Sequence, residues 1–184
     1  MLIPFFDSNK DNYSGTPYAA VELVEYGDYQ CEYCADAYPV VRSLQEALGD
    51  DIRFVFRNFP LPNVHSDAIE AAVAAEAAAR QGKFWQMHNM ILENQKFLNR
   101  ASYIRFAEEI EVDIAEFERD RQNQQVFSKI TGDLESGIKS GVNGTPTFFI
   151  NGLRYNGFTD FKSMYHSCLY MRRSALSGEQ RSGD

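Results

Sequence analysis

The sequence has little cysteine: three in 184 residues, two of them in Cys31-Glu32-Tyr33-Cys34 and one, Cys168, alone. That excludes a disulfide scaffold, and in a reducing compartment such a pair reads as redox-active or metal-binding. Cations are outnumbered, 18 Lys and Arg against 26 Asp and Glu, for a net charge of −8. A phosphate-binding face needs the opposite surplus. The longest basic cluster is Arg172-Arg173, so no nucleic-acid partner is expected. No apolar run approaches the length of a membrane span. The opening residues 1–7 contain no basic segment and too few apolar residues for a secretory signal. The expected location is the cytoplasm or, if a leader has been removed, the periplasm or another extracytoplasmic compartment.

The chain is 44% hydrophobic and 14% aromatic, enough for one buried core. Residues 1–18 are rich in Pro, Asp, Asn, Ser and Gly and read as an extended lead-in. Residues 19–26 are a buried strand ended by Gly27-Asp28. From Cys31, the spacing of Tyr38, Val41, Leu44 and Leu48 predicts an amphipathic helix stopped by Gly49 and kinked at Pro39. Residues 52–59 form a second strand closed by Pro60 and Pro62, which makes the start of a parallel β-α-β unit.

From 66 to about 140 the pattern is helical. An alanine-rich helix is begun by Ser66 or Asp67. A second carries Phe84, Met87, His88, Ile91 and Leu92, and a third Ile104, Ala107 and Ile110. Asp113 with Glu116 resembles a capping box. A last helix shows Val126, Phe127, Ile130, Leu134 and Ile138 on one face and stops at Gly141. Asn151-Gly152 between two apolar runs signals a type I′ hairpin. Asp160 opens a closing helix with Phe161, Met164, Tyr165, Cys168 and Leu169, and the tail from 177 is expected to fray. The expected division is a core of residues 1–62 and 141–184 around a helical insertion, 63–140.

The cysteine pair falls between a strand and a helix start. A thiolate there meets unpaired backbone amides and the positive end of the helix dipole, so Cys31 becomes nucleophilic near neutral pH. Cys34, one turn on, is placed to displace a captured sulfur. The alternative, half of a zinc site, wants two more ligands, and only Cys168, His65, His88 and His166 remain. Cys168 and His88 read as core residues, and His65 as a cap or loop residue without chemistry.

With V-E-Y-G-D-Y-Q-C-E-Y-C (24–34), F-R-N-F-P-L (56–61) and G-V-N-G-T-P-T-F-F-I-N-G (141–152), the chain resembles the DsbA-like thioredoxin-fold thiol–disulfide oxidoreductases. The resemblance implies an α/β thioredoxin-like fold, a central mixed β-sheet flanked by helices with an inserted all-helical domain. It implies that Pro146 is a cis-proline beside the cysteines and that Thr145 contacts a peptide substrate, with Glu32 and Tyr33 joining the substrate-binding set. It also implies that Glu25 is a buried acid exchanging a proton with Cys34. Taken alone, Glu25 has a lesser alternative as a solvated strand-end carboxylate, and Thr145-Pro146 reads as an ordinary trans turn. No cofactor is required; the expected partners are protein or peptide thiols and disulfides, plus an unidentified redox partner. A different class of function, a peptide-binding or chaperone-like module, would use the same groove. One departure stands out. The dipeptide between the cysteines is Glu32-Tyr33, with Glu25, Asp28 and Asp36 close by, and negative charge disfavours a thiolate. That predicts a weak oxidant, poised toward reduction or isomerisation.

Overall fold

The structure, a computed structural model, describes residues 1–179, with side chains through Ser174. Five strands form one mixed sheet in the order β1-β3-β2-β4-β5. The centre is β2 (Val21–Gly27), an apolar run buried along its whole length. It pairs in parallel with β3 (Ile52–Asn58), from Val21 opposite Ile52 to Gly27 opposite Asn58. On its other side β4 (Thr147–Ile150) runs antiparallel, with Tyr26 opposite Thr147. This register brings the end of β2 and the start of β4 to the same end of the sheet. The loop into Cys31 and the Thr145-Pro146 step therefore emerge side by side.

Side chains alternate across the strands. Val21, Leu23, Phe54, Phe56 and Phe148 enter one large apolar cluster, while Val24, Tyr26, Val55 and Phe149 enter a smaller one opposite. Glu25, two residues beyond Leu23, lies on the large-cluster side. Helix α1 (Glu32–Leu48) covers that side with a stripe of Cys34, Ala37, Val41, Leu44 and Leu48. The helix passes through Pro39 without interruption and stops at Gly49, whose φ is +52°.

Five helices follow between β3 and β4. In α2 (Ala68–Ala79) the small alanine side chains let neighbouring elements approach closely, and nearly all are buried. Asp67 sits at its N-cap without capping it; its amide instead donates to the Gln30 side chain at 2.7 Å. Helix α3 (Phe84–Glu93) buries the stripe of Phe84, Met87, His88, Ile91 and Leu92. Helix α4 (Arg100–Glu109) buries Tyr103, Phe106 and Ala107, leaving the expected Ile104 half-buried. Asp113 caps α5 (Ile114–Asp120), accepting from the Glu116 amide at 2.7 Å.

Helix α6 (Gln124–Lys139) is turned away from the face that hydrophobicity indicated. Phe127 and Ile138 are exposed, whereas Asp133, Ser136 and Gly137 are buried with Val126 and Ile130. Polar anchors set this rotation. Asp133 accepts from the Asn58 amide at 3.0 Å, and the Ser136 and Tyr26 hydroxyls share a 2.8 Å hydrogen bond. Gly137 lies where a Cβ would meet the Phe59 ring at 2.6 Å.

Asn151 and Gly152 take φ of +47° and +77°, the paired positive values of a type I′ turn, between β4 and the two-residue β5 (Leu153–Arg154). The closing helix α7 (Phe161–Glu179) is capped by Asp160, which accepts from the Ser163 amide at 2.9 Å, and buries Met164 and Cys168. It carries the chain through the first residues of the tail expected to fray; 180–184 lie outside the described residues.

The lead-in is not a free tether. Asn12–Ser14 form β1, an edge strand antiparallel to β3. Buried Arg57 explains why: its guanidinium donates to both Asp11 carboxylate oxygens at 2.8 and 2.9 Å, to the Pro4 carbonyl and to the Tyr26 hydroxyl. A desolvated guanidinium needs every donor used, and the lead-in supplies the acceptors. Asp11→Ala leaves that charge buried and unpaired and is expected to cost about 3–5 kcal/mol in urea unfolding.

Candidate active site

Cys31 occupies the N-cap of α1, with φ −73° and ψ 120°, and no side-chain oxygen caps the helix. Its carbonyl accepts from the Cys34 and Ala35 amides at 3.0 and 3.2 Å, closing the turn that stacks one cysteine beside the other. Both cysteines are free thiols and largely shielded, 5% and 2% exposed. The turn is fastened from outside. Gln95, in a single 3-10 turn after α3, donates to the carbonyls of Tyr29 at 2.9 Å and Cys31 at 2.7 Å. Below it, the buried Asp28 carboxylate accepts from the Gln30 and Leu61 amides, both at 2.8 Å, and meets His65 Nδ1 at 2.9 Å. The Asp28 amide donates to Cys34 Sγ at 3.4 Å. Asp28, His65 and Gln95 carried no assignment from sequence. Their signal was faint: an acid just after a strand-ending glycine, and a histidine four residues past the F-R-N-F-P-L segment.

Cys31 Sγ contacts the Thr145 carbonyl oxygen at 3.3 Å, and the Thr145-Pro146 peptide bond is cis. The Cys31 thiol is lowered from an ordinary value to about 5. The largest cause is the hydrogen bond with the Cys34 side chain; burial opposes it, and the Thr145 side chain and the amides of Cys34 and Tyr33 add to it. The Thr145 hydroxyl oxygen is buried with no other partner among the described residues, and the Cys31 sulfur is within its reach. Cys34 moves the opposite way: burial first, then its hydrogen bond to Cys31 and the charge of Glu25, push it well above an ordinary thiol. The two sulfurs are thus separated into an easily formed anion and a reluctant one.

The expectation that nearby carboxylates would disfavour the Cys31 thiolate is not met. The charge of Asp28 is taken up by two amides and His65. Glu32 and Asp36 are exposed to water, which screens them, while the amides at the helix start point at the sulfur.

Glu25 is 4% exposed and its carboxyl is raised to about 8, first by burial and then by the charge on Cys31. Its Oε1 lies 3.1 Å from where a Cβ on Gly27 would stand, so glycine at that position leaves the acid its space. A cavity of about 190 Å³ runs from Glu25 between α1 and α3, past His88, Tyr38 and Gln45 to exposed Arg42. His88 is lowered by burial to about 3, bonded through Nδ1 to the Tyr29 hydroxyl at 3.0 Å and ringed by Phe56, Phe84 and Trp85. It is a neutral core residue. Cys168, fully buried, is likewise core. Among the described residues, no group of three or more His, Cys, Asp or Glu side chains is gathered as a metal ion requires. Tyr33 is 65% exposed at the rim of a 340 Å³ depression that Asp36, Ala37, Thr145, Pro146 and Thr159 also line.

A family model described as Thioredoxin matches residues 7–166. The chain belongs to the thioredoxin family. A solved thioredoxin-like oxidoreductase from Silicibacter pomeroyi DSS-3 superposes with a TM-score of 0.77 at 28% identity, covering 95% of this chain and 94% of that one. Wolbachia pipientis alpha-DsbA1 gives a TM-score of 0.81 at 18% identity over 95% and 96% of the two chains, a likeness of fold. The structural neighbours of this family member are thus DsbA-like. Among curated sequences, a Na(+)/H(+) antiporter NhaA 3 of Salinispora tropica is 41% identical over 159 residues, 85% of this chain but 24% of that protein. The chain spans about a quarter of the length of the curated relatives it matches. The antiporter name belongs to that whole protein; among the described residues here, no helix is long and apolar enough to cross a membrane.

Two outcomes test this electrostatic reading. A carboxyl raised to about 8 stays protonated in the folded chain while it ionises in the unfolded chain above about pH 4.5. Folding stability is therefore lost as pH rises from 4.5 toward 8. Glu25→Gln should gain on the order of a few kcal/mol over the parent at pH 8 and almost nothing at pH 4, read by urea unfolding. Thr145→Val should raise the Cys31 thiol by about one pH unit, followed by thiolate absorbance near 240 nm.

Proposed function

We propose that this chain catalyses dithiol–disulfide exchange with protein substrates, Cys31 as nucleophile and Cys34 as resolving thiol. The observation that carries the reading is the Cys31 sulfur at the start of α1, stabilised as an anion, with Cys34 hydrogen-bonded behind it. In the reductive direction, the Cys31 thiolate attacks one sulfur of a substrate disulfide, and the other leaves as a thiolate that takes up a proton. Forming the mixed disulfide removes the Cys31 charge, and Glu25 releases its proton to water and takes up the one Cys34 loses as it attacks Cys31 Sγ. The remaining substrate sulfur departs as a thiolate and takes up a proton, and the Cys31–Cys34 disulfide is left oxidised by the two electrons the substrate has gained. Oxidation of substrate dithiols is the same sequence reversed. The cavity behind Glu25 supports its role, since it lets the acid exchange protons with water while substrate covers Cys31. Thr145 and Pro146 hold the substrate backbone, and Glu32 and Tyr33 flank it.

A thiol at about 5 lies between the thioredoxin value near 7 and the DsbA value near 3.5. A stabilised thiolate stabilises the reduced form, which favours the oxidising direction of exchange. The place of the chain is then an oxidising, extracytoplasmic compartment, with a separate redox partner resetting the cysteines.

Equilibration with glutathione should return a reduction potential between about −270 and −120 mV. Cys31→Ser should abolish insulin reduction, and Cys34→Ala should accumulate mixed disulfides on Cys31, identified by mass spectrometry. Full protection of aggregating clients by Cys31→Ser, with no exchange by the parent, would favour a peptide-binding module instead.

A further inference from the structure

The depression beside Cys31 carries a carboxylate that takes part in no ion pair among the described residues. It is lined by half-buried Pro146, the exposed ring of Tyr33 and the exposed carboxylate of Asp36, with Ala37 buried beneath. None of the ion pairs among the described residues includes Asp36 or Glu32, one helical turn before it. Thr159, also in the lining, leads to Asp160, whose carboxyl feels the charge of Lys162.

An acid in the first turn of a helix needs no special reason, because the dipole favours it, and Glu32 stands there. Asp36 is a turn further on, where that field has faded. It lines a depression shared with Thr145, whose carbonyl contacts the Cys31 sulfur.

We propose that this groove selects substrates carrying arginine or lysine beside the reacting cysteine. The inference rests on the thiol–disulfide reading above and specifies its substrate class. The aliphatic stem of such a residue lies along Pro146 and the edge of the Tyr33 ring with its charged head in water, as long basic side chains do. The head then meets the Asp36 carboxylate and the face of Tyr33 together. An acidic residue in the same position meets repulsion, so the groove both favours and excludes. The net charge of −8 acts in the same sense at longer range, steering cationic partners inward.

The test uses the reduced full chain and three disulfide-linked peptide dimers, identical except for Arg, Gln or Glu after the cysteine. The expected order of second-order rate constants is Arg, Gln, Glu, with Arg exceeding Glu by about fivefold at low salt and the ratio shrinking at high salt. Asp36→Asn should cut that ratio and Asp36→Lys should invert it, while Glu108→Gln, an equal loss of charge on α4, should preserve it. Equal rates for all three peptides overturn the inference and leave the exchange activity standing. A ratio unmoved in both Asp36 variants also overturns it. No exchange with any peptide overturns the underlying thiol–disulfide reading instead.

Discussion

A helix start leaves amide hydrogens without partners, and at α1 no side-chain oxygen takes them up. A sulfur stands where serine or aspartate ordinarily would. Those amides are satisfied best when the sulfur carries charge, and the rest of the site follows from keeping them so. Asp28 holds the approach from β2, and Gln95 holds the carbonyls of the turn. Cys34 lies beneath, its own ionisation suppressed by burial and by the neighbouring charge. A single asymmetry, one sulfur exposed to donors and the other to an apolar stripe, divides attack from release.

Glu25 belongs to the same arrangement seen from the opposite side of the strand end. It sits among apolar side chains where only its neutral form is comfortable, yet a cavity leads from it to the surface. Burial raises the acid into the range where a carboxyl titrates near neutrality, as the proposed exchange requires of it. The cost is borne by folding stability at high pH. The neighbouring glycine of β2 and the ring of Phe56 leave just the room this carboxyl occupies.

Much of this was legible in the chain because it is locally encoded. The apolar runs of β2 and β3, the turn at Asn151-Gly152, the cap at Asp113 and the stop at Gly49 each act within a few residues. What sequence reading missed was set at long range. The lead-in is ordered by a guanidinium more than forty residues away, and α6 is rotated by Asn58 and Tyr26 rather than by its own hydrophobicity. Counting acids around the cysteines overstated their influence, because Asp28 spends its charge on amides and His65, a pairing no spacing reveals. The meeting of Thr145 with Cys31 depends on the register of β4 against β2, and only the family resemblance gave it to the sequence reader.

The Gln95 side chain ties the helices to the redox turn through one amide group that bridges two carbonyls. The helical layer and the nucleophile therefore move as a unit. A hinge that widened the mouth for a bulky client would have to break that bridge first, and the loosened turn would then present its sulfur less well. Gln95 shares this fastening with the Tyr29–His88 and Gln30–Asp67 hydrogen bonds, so a roomier entrance comes at the expense of a blunter nucleophile.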